Sequence, residues 1–318
     1  MIVALAGDTM LGRKVGERLR AEPSRPLVTP DVVEVAHEAD LFVLNLECCI
    51  SDRGEPWPAP GKPFFFRAPP AAVDTLARLG VDCVTLANNH ALDFGEAALL
   101  DTFDHLSSAG IEWVGAGPDV ERARRSASLT TKDGSRLAVV GVTDHPEDYA
   151  AGPSSPGVAY ADLQDEDVPS WLTDAIGGAE ADAVLVTPHW GPNMTSAPVP
   201  HVRRVGMTLI EAGATFVAGH SAHVFHGVEG PILWDLGDFL DDYAVDPVLR
   251  NDLGLLFLVT LDAGGPRRLE AVPIKLEFCF TRLAGGDEAR WIAGRFRDAC
   301  AAMGTSVREE HGRSVIEW

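Results

Sequence analysis

Five short polar blocks, each following or ending an apolar run, constrain this chain more than any other feature. They read Gly7-Asp8, Asn45-Leu46-Glu47, Asn88-Asn89-His90, His189-Trp190-Gly191 and Gly219-His220-Ser221-Ala222-His223. The runs before them cover residues 2–6, 41–44, 81–87, 183–186 and 215–218. Continuous apolar runs of this length suit strands buried on both faces. Helical periodicity fills the intervals 71–79, 97–109 and 202–212, each stopped by a glycine. Strand and helix in alternation predict a layered α/β fold. Each block offers oxygen or imidazole ligands where a strand hands over to a loop. Strand ends are fixed by their sheet, so such side chains can converge on one point.

Beyond Gly230 the pattern changes. Ile232-Leu233-Trp234-Asp235 and the runs 255–261 and 269–276 read as successive strands of antiparallel style. Residues 288–303 form an amphipathic helix with Ile292, Phe296, Ala299, Cys300 and Met303 on one stripe. The expected organisation is one domain over 1–318, with a metal-site core in 1–245 and C-terminal strands and helix, 246–318, packed on it. Two stretches, 53–70 and 142–157, read as irregular loops that can rim a substrate site.

The chain has 318 residues and a formal charge of −21. Such a charge argues against nucleic acid or an anionic membrane as a partner through a broad basic surface. No run approaches a membrane span, and residues 2–6 are too short for a signal-peptide core. The cysteines are five and show no Cys-x-x-Cys spacing, which favours a reducing compartment. The expectation is a cytoplasmic protein.

From residue types alone, a divalent cation held by Glu47, Asn89 and one or more histidines is the natural reading. His220 and His223 stand at a spacing that allows both to serve one loop. His226 follows them, but strand-like alternation can turn it elsewhere. His90 lies beside Asn88, Asn89 and Asp93, all of which need partners. His37, His105, His145, His201 and His311 fall outside the blocks and read as surface or core residues. Asp238, in the acid-dense stretch 235–243, either pairs with a catalytic histidine or belongs to a solvated loop. Arg13 and Arg67 can clamp a terminal carboxylate, and Trp190 with Phe64 and Phe66 can pack on a substrate side chain. Arg13 can equally serve the electrostatics of the first helix.

These blocks, with Gly7-Asp8-Thr9-Met10-Leu11-Gly12-Arg13 and Ala87-Asn88-Asn89-His90-Ala91-Leu92-Asp93-Phe94-Gly95, resemble the CapA-like proteins over residues 1–245. That family is named for a poly-γ-glutamate capsule protein and is related to the calcineurin-like metallophosphoesterases. The resemblance implies a four-layer αββα sandwich with the site at the strand ends. It implies Glu47 as a central carboxylate, with Asn89, His189 and His220 completing one metal position. Asp8 and His223 would face a second position, and His90 would be the acid–base histidine.

The departures from that pattern shape the functional expectation. Met10 stands where dinuclear phosphoesterases carry the histidine of Asp-x-His. Glu47 replaces an aspartate, and His189-Trp190-Gly191-Pro192-Asn193 ends in asparagine where the family often has glutamate. A second metal therefore lacks ligands, which leaves Asp8, His90, Asp93, His223 and Asp238 for proton transfer. The expected cofactor is one divalent ion (calcium, magnesium or manganese) with no organic cofactor. Two bases beside one metal suit Cα epimerisation of a peptide with a free C-terminus, as in the lasso-peptide epimerases of this family. The alternatives are a metallophosphoesterase or glutamyl-peptide hydrolase, and a non-catalytic protein that binds an anionic polymer or peptide.

Overall fold

The computed structural model describes residues 1–58, 60–164 and 167–318. Two sheets face each other. The larger runs, in spatial order, Arg308–Glu310, Arg313–Glu317, Gly265–Glu277, Leu253–Asp262, Ile2–Thr9, Leu41–Leu46, Cys83–Thr85 and Glu112–Val114. The smaller runs Val228–Glu229, Ile232–Leu233, Phe216–Ala218, Ala183–His189, Arg136–Thr143 and Ala127–Thr130.

Alternation along each strand creates the layers. In Ile2–Thr9, Val3 and Leu5 point to the core between the sheets, while Ala4 and Ala6 point to the outer side. Leu41 and Val43 repeat the inward set, and Phe42, Leu44 and Leu46 the outward one. In the second sheet Leu137 and Val139 face inward, and Ala138, Val140 and Val142 outward. Helices Arg13–Ala21, Pro30–Ala36, Ala72–Leu79 and Gly95–Ser108 cover the outer face of the larger sheet. Ser170–Gly177 and Pro200–Glu211 cover that of the smaller one. The result is helix, sheet, sheet, helix, the expected αββα sandwich.

Three of the expected helices stand close to where their periodicity places them, as Ala72–Leu79, Gly95–Ser108 and Pro200–Glu211. Gly80 closes the first of these in the left-handed region, at φ 76°. The C-terminal helix, Gly286–Ala301, does not lie on an outer face. Its Ile292, Phe296 and Cys300 enter the core between the sheets, while Ala299 and Met303 are only partly buried. The expectation of antiparallel strands after Gly230 holds for Leu253–Asp262 and Gly265–Glu277. Ile232–Leu233 is mixed, antiparallel to Val228–Glu229 on one side and parallel to Phe216–Ala218 on the other. The irregular stretch 53–70 contains Ala59, which lies outside the described residues, and includes the short strand Arg67–Ala68. Among the described residues no helix is long and apolar enough to cross a membrane.

Candidate metal and acid–base site

The parallel strands of both sheets end on the same side, and the polar blocks meet there. Asp8 is not beyond its strand but inside it, after a bulge. Ile2–Thr9 pairs with Leu41–Leu46 as Ala6 to Leu44 and then Asp8 to Asn45, so one residue is gained at Gly7. Gly7 also lies against a distant segment of the same chain: a Cβ there would lie 1.8 Å from the Gly237 carbonyl oxygen. The bulge thus needs glycine, and it re-aims Asp8 toward the gap between the sheets.

Asp8 is the hub. Its Oδ1 accepts from Asn45 Nδ2 at 2.7 Å, and Asn45 Oδ1 accepts from Asn88 Nδ2 at 2.9 Å. His220 Nδ1 lies 3.4 Å from Asp8 Oδ1, and His223 Nδ1 lies 3.4 Å from Oδ2. Asn45 Nδ2 is also 3.5 Å from His189 Nδ1. The Tyr243 hydroxyl donates to Glu47 Oε2 at 2.9 Å. Asp235 braces the histidine loop by accepting from the amides of Ala222 at 2.9 Å and Gly237 at 2.8 Å. Within that loop Ser221 and His223 sit at φ 108° and 59°, conformations that non-glycine residues adopt at a cost and that cluster at functional sites.

Asp8, Glu47 and His223 offer ligand atoms that all lie within 4.8 Å of one another. The residues expected for the metal were Glu47, Asn89, His189 and His220, of which Glu47 belongs to this group. The bulge brings the Asp8 carboxylate in beside it, with His220 close to Asp8 and His189 close to Asn45. Asn89 is held chiefly through its backbone, whose carbonyl accepts from Lys62 Nζ at 2.6 Å. The fit of a cation rests on buried atoms without partners: Asp8 Oδ2, Glu47 Oε1, Asn89 Oδ1, His220 Nδ1 and Asp238 Oδ2 make no hydrogen bond. Buried polar atoms are rarely left so. Oxygen and imidazole donors in this mixture suit a divalent ion of hard or intermediate character.

Charge points the same way. Asp8, Glu47, Asp235 and Asp238 are all buried. Burial pushes the Glu47 carboxyl well above its ordinary range, and the charge on Asp8 adds to that. Asp238 is raised by burial, then by Asp241 and Asp8. On Asp8 burial acts upward too, but the nearby imidazoles of His220, His223 and His189 outweigh it and hold the acid low.

Two histidines present themselves to a cavity of about 350 Å³ beside this centre, whose lining includes Arg13, Phe66, His90, Asn193, His223 and Tyr243. His90 Nδ1 is bonded to Asp93 Oδ2 at 2.6 Å. Asp93 is in turn fixed by the Phe66 amide at 2.6 Å, the Tyr149 hydroxyl at 2.9 Å and Lys62 Nζ at 2.9 Å. His223 Nδ1 is bonded to Asp238 Oδ1 at 2.8 Å. With Nδ1 so engaged, each ring keeps Nε2 for other work. The rings form a row: His90 stacks on Phe66 at 3.9 Å, Phe66 lies 5.7 Å from Tyr243, and Tyr243 meets His223 edge-on at 5.3 Å. Burial lowers the His90 pKa despite Asp93. Burial opposes charge on His223 as well, but Glu47, Asp8, Asp235 and Asp241 raise it overall. The two rings are thus shifted in opposite directions, the division an acid–base pair needs.

The remaining expected residues divide. Asp93 and Asp238 are fully buried behind their histidines and position them rather than meet a ligand. Arg13 lines the cavity, 5.2 Å and 5.7 Å from the rings of Phe64 and Phe66, and lies 3.3 Å from Asp242. Arg67 does not serve there. It donates to the carbonyls of Arg53 at 2.9 Å and Gly54 at 3.0 Å and stacks 4.1 Å over Phe94. Trp190 is a core residue whose Nε1 donates to the Trp234 carbonyl at 3.2 Å. His226 turns away and meets the Thr195 carbonyl at 2.8 Å. Sequence reasoning passed over Asn45, Tyr243, Lys62 and Tyr149. Asn45 lay inside a quoted block, and Tyr243 ended the acid-dense stretch, so the signal for these two was present. Lys62 and Tyr149 come from the two loops, where no spacing rule reaches.

The described cysteines are all buried and unpaired by disulfides. Comparison with known proteins places the chain. The family model "Bacterial capsule synthesis protein PGA_cap" matches residues 2–243. A "Probable polyglutamine synthesis accessory protein" of Mycobacterium tuberculosis is 35% identical over 287 residues, 84% of this chain and 74% of that protein. The "PGA biosynthesis protein CapA" of Bacillus subtilis is 26% identical over 86% of this chain and 71% of its own length. The "Capsule biosynthesis protein CapA" of Bacillus anthracis is 25% identical over 87% and 68%. The match covers every polar block from Asp8 to Tyr243, and the chain belongs to the CapA-like, PGA_cap family of bacterial capsule synthesis proteins.

Proposed function

We propose that this protein is a metal-dependent acid–base enzyme that inverts the Cα centre of a C-terminal residue in a peptide. The observation that carries the proposal is the pair of carboxylate-backed imidazoles, His90 with Asp93 and His223 with Asp238, at the two ends of one row of rings on one cavity. Epimerisation needs two such groups. One takes the Cα proton, and the other returns a proton to the opposite face. Arg13 supplies a fork for the terminal carboxylate. Phe64, Phe66 and Tyr243 give an apolar wall for the side chain. Asp8 and Glu47, with His220, would hold a divalent ion, which supplies electrostatic stabilisation of a developing enolate when bound. The relatives' printed names concern polyglutamine and PGA synthesis, which suits a peptidic substrate here.

Hydrolysis of a peptide or phosphoester is the second reading. It is favoured by His189 and His220, which crowd the Asp8 hub and could serve a further ion. The two readings separate in heavy water. Synthetic peptides with free C-termini, incubated with the metal-loaded protein, should gain deuterium at the terminal Cα without shortening. His90→Ala and His223→Ala should each abolish that gain while keeping the far-UV spectrum. Shortened products without deuterium would establish the hydrolase, and normal exchange by both variants would remove the two-base mechanism.

A further inference from the structure

A second cavity, of about 550 Å³, opens on the other flank of the centre, with Asp144, His145, Gln164, Asn193 and His201 in its lining. None of these histidines stood in a polar block. Asp144 is a buried carboxylate with a side chain only 3% exposed, and it is bonded to His145 Nδ1. It also accepts from the Gly191 amide at 3.0 Å, and His201 Nε2 lies 3.5 Å from its other edge. His201 Nε2 is buried yet completes no hydrogen bond. Asp144 is thus engaged by its neighbours, while His145 and His201, at 33% and 21% side-chain exposure, line the cavity.

The two cavities share Asn193. Between them stands the centre itself: His145 lies 5.2 Å from the His189 ring, and His189 approaches Asn45, which holds Asp8. Each cavity alone is in the range that accepts a small ligand, so a single residue would leave one of them empty. Among the described residues, the lining of the first contains no carboxylate, and that of the second contains Asp144, which its neighbours already engage. The imidazoles of His145 and His201 and the side-chain amides of Gln164 and Asn193 are donors that suit an anionic group.

We propose that the cavity around His145 and His201 is a second subsite, which binds a side-chain carboxylate of the peptide segment leading into the reacting residue. This rests on the peptide-substrate reading above and extends it: the substrate lies across the centre, with its terminal residue in the first cavity. The helix Pro200–Glu211 carries His201 in its first turn, and the loop after Arg136–Thr143 carries His145, so the two sides of the subsite come from separate elements.

The test uses calorimetry on the full chain with N-acetylated diglutamate, hexaglutamate and hexaglutamine, each with a free C-terminus, as probes. The hexaglutamate should bind at least about tenfold more tightly than the diglutamate, and His201→Gln or His145→Gln should remove most of that difference. Melting temperatures confirm that the variants fold, and the partial exposure of both rings makes them tolerant sites. Equal affinity for the two glutamate lengths would overturn the subsite. So would unchanged length dependence in both variants, and hexaglutamine binding as tightly as hexaglutamate would overturn the carboxylate. Failure of Cα exchange with retained length dependence would count against the epimerase alone.

Discussion

Asp241 shows how much the site costs its own fold. The residue is buried, and its acid is pushed up to about 6 by burial and by Asp242 nearby, although the Tyr243 amide and His223 pull it down. Between the ordinary 3.8 and about 6 the folded chain keeps a proton that the unfolded chain has lost. Stability from this group is therefore full below that window and falls as pH rises through it. The penalty at neutral pH is at most about 3 kcal/mol. Asp241→Asn removes it. The variant should melt higher than the natural chain at pH 7 and nearly with it at pH 4; no gain at pH 7 would show that the carboxylate is compensated by another charge. Trp190 gives the opposite case, a residue whose address in a polar block suggests ligand binding while its contacts are all core. Trp190→Phe should lower stability by about 1–2 kcal/mol through the lost bond to Trp234, with peptide affinity unchanged. A selective loss of affinity would restore it to the binding site. Residue identity exposed the blocks, but which histidine meets which acid was not legible. The pairing depends on Ser221 and His223 taking positive φ in one loop, and no local pattern specifies that.

At the scale of elements, the strands with continuous apolar runs were legible and those with short or interrupted runs were not. Ile2–Thr9, Leu41–Leu46 and Ala183–His189 announce themselves, whereas Arg136–Thr143 begins with a charge and carries a glycine. Arg13–Ala21 is rich in arginine and buries only Val15, Gly16 and Leu19, so its helical face is narrow. The C-terminal helix was legible as a helix but not in its location. Amphipathicity reports that one face is covered, and not whether a sheet's outer face or the inter-sheet core covers it. The bulge at Gly7 tests the account of how elements aim the site. Gly7→Ala sets a methyl group against the Gly237 carbonyl, so Ile2–Thr9 must part from Asp238–Leu240. A loss of about 3 kcal/mol is expected, together with weaker metal binding because Asp8 moves. Retention of both stability and metal affinity would mean that the bulge does not position Asp8.

For the whole molecule, the two sheets bring strand ends from distant parts of the chain to one point, and the price is a set of buried acids that repel one another. A bound cation would relieve this. Removal of metal by a chelator should lower the melting temperature, with a stability difference of about 3 kcal/mol when the ion is restored at about a hundredfold excess over its Kd. The sandwich itself was legible through the family resemblance and is carried independently by the in–out alternation of Val3, Leu5, Ala4 and Ala6 and their counterparts. The most direct measurement of the central claim is the metal content of the purified protein beside that of Glu47→Gln. The account predicts a single equivalent of a divalent ion in the natural chain, lost in the variant, with Cα exchange lost alongside it. Two equivalents of a transition metal, or an ion content indifferent to Glu47, would contradict a lone cation at Asp8 and Glu47 flanked by two imidazole bases.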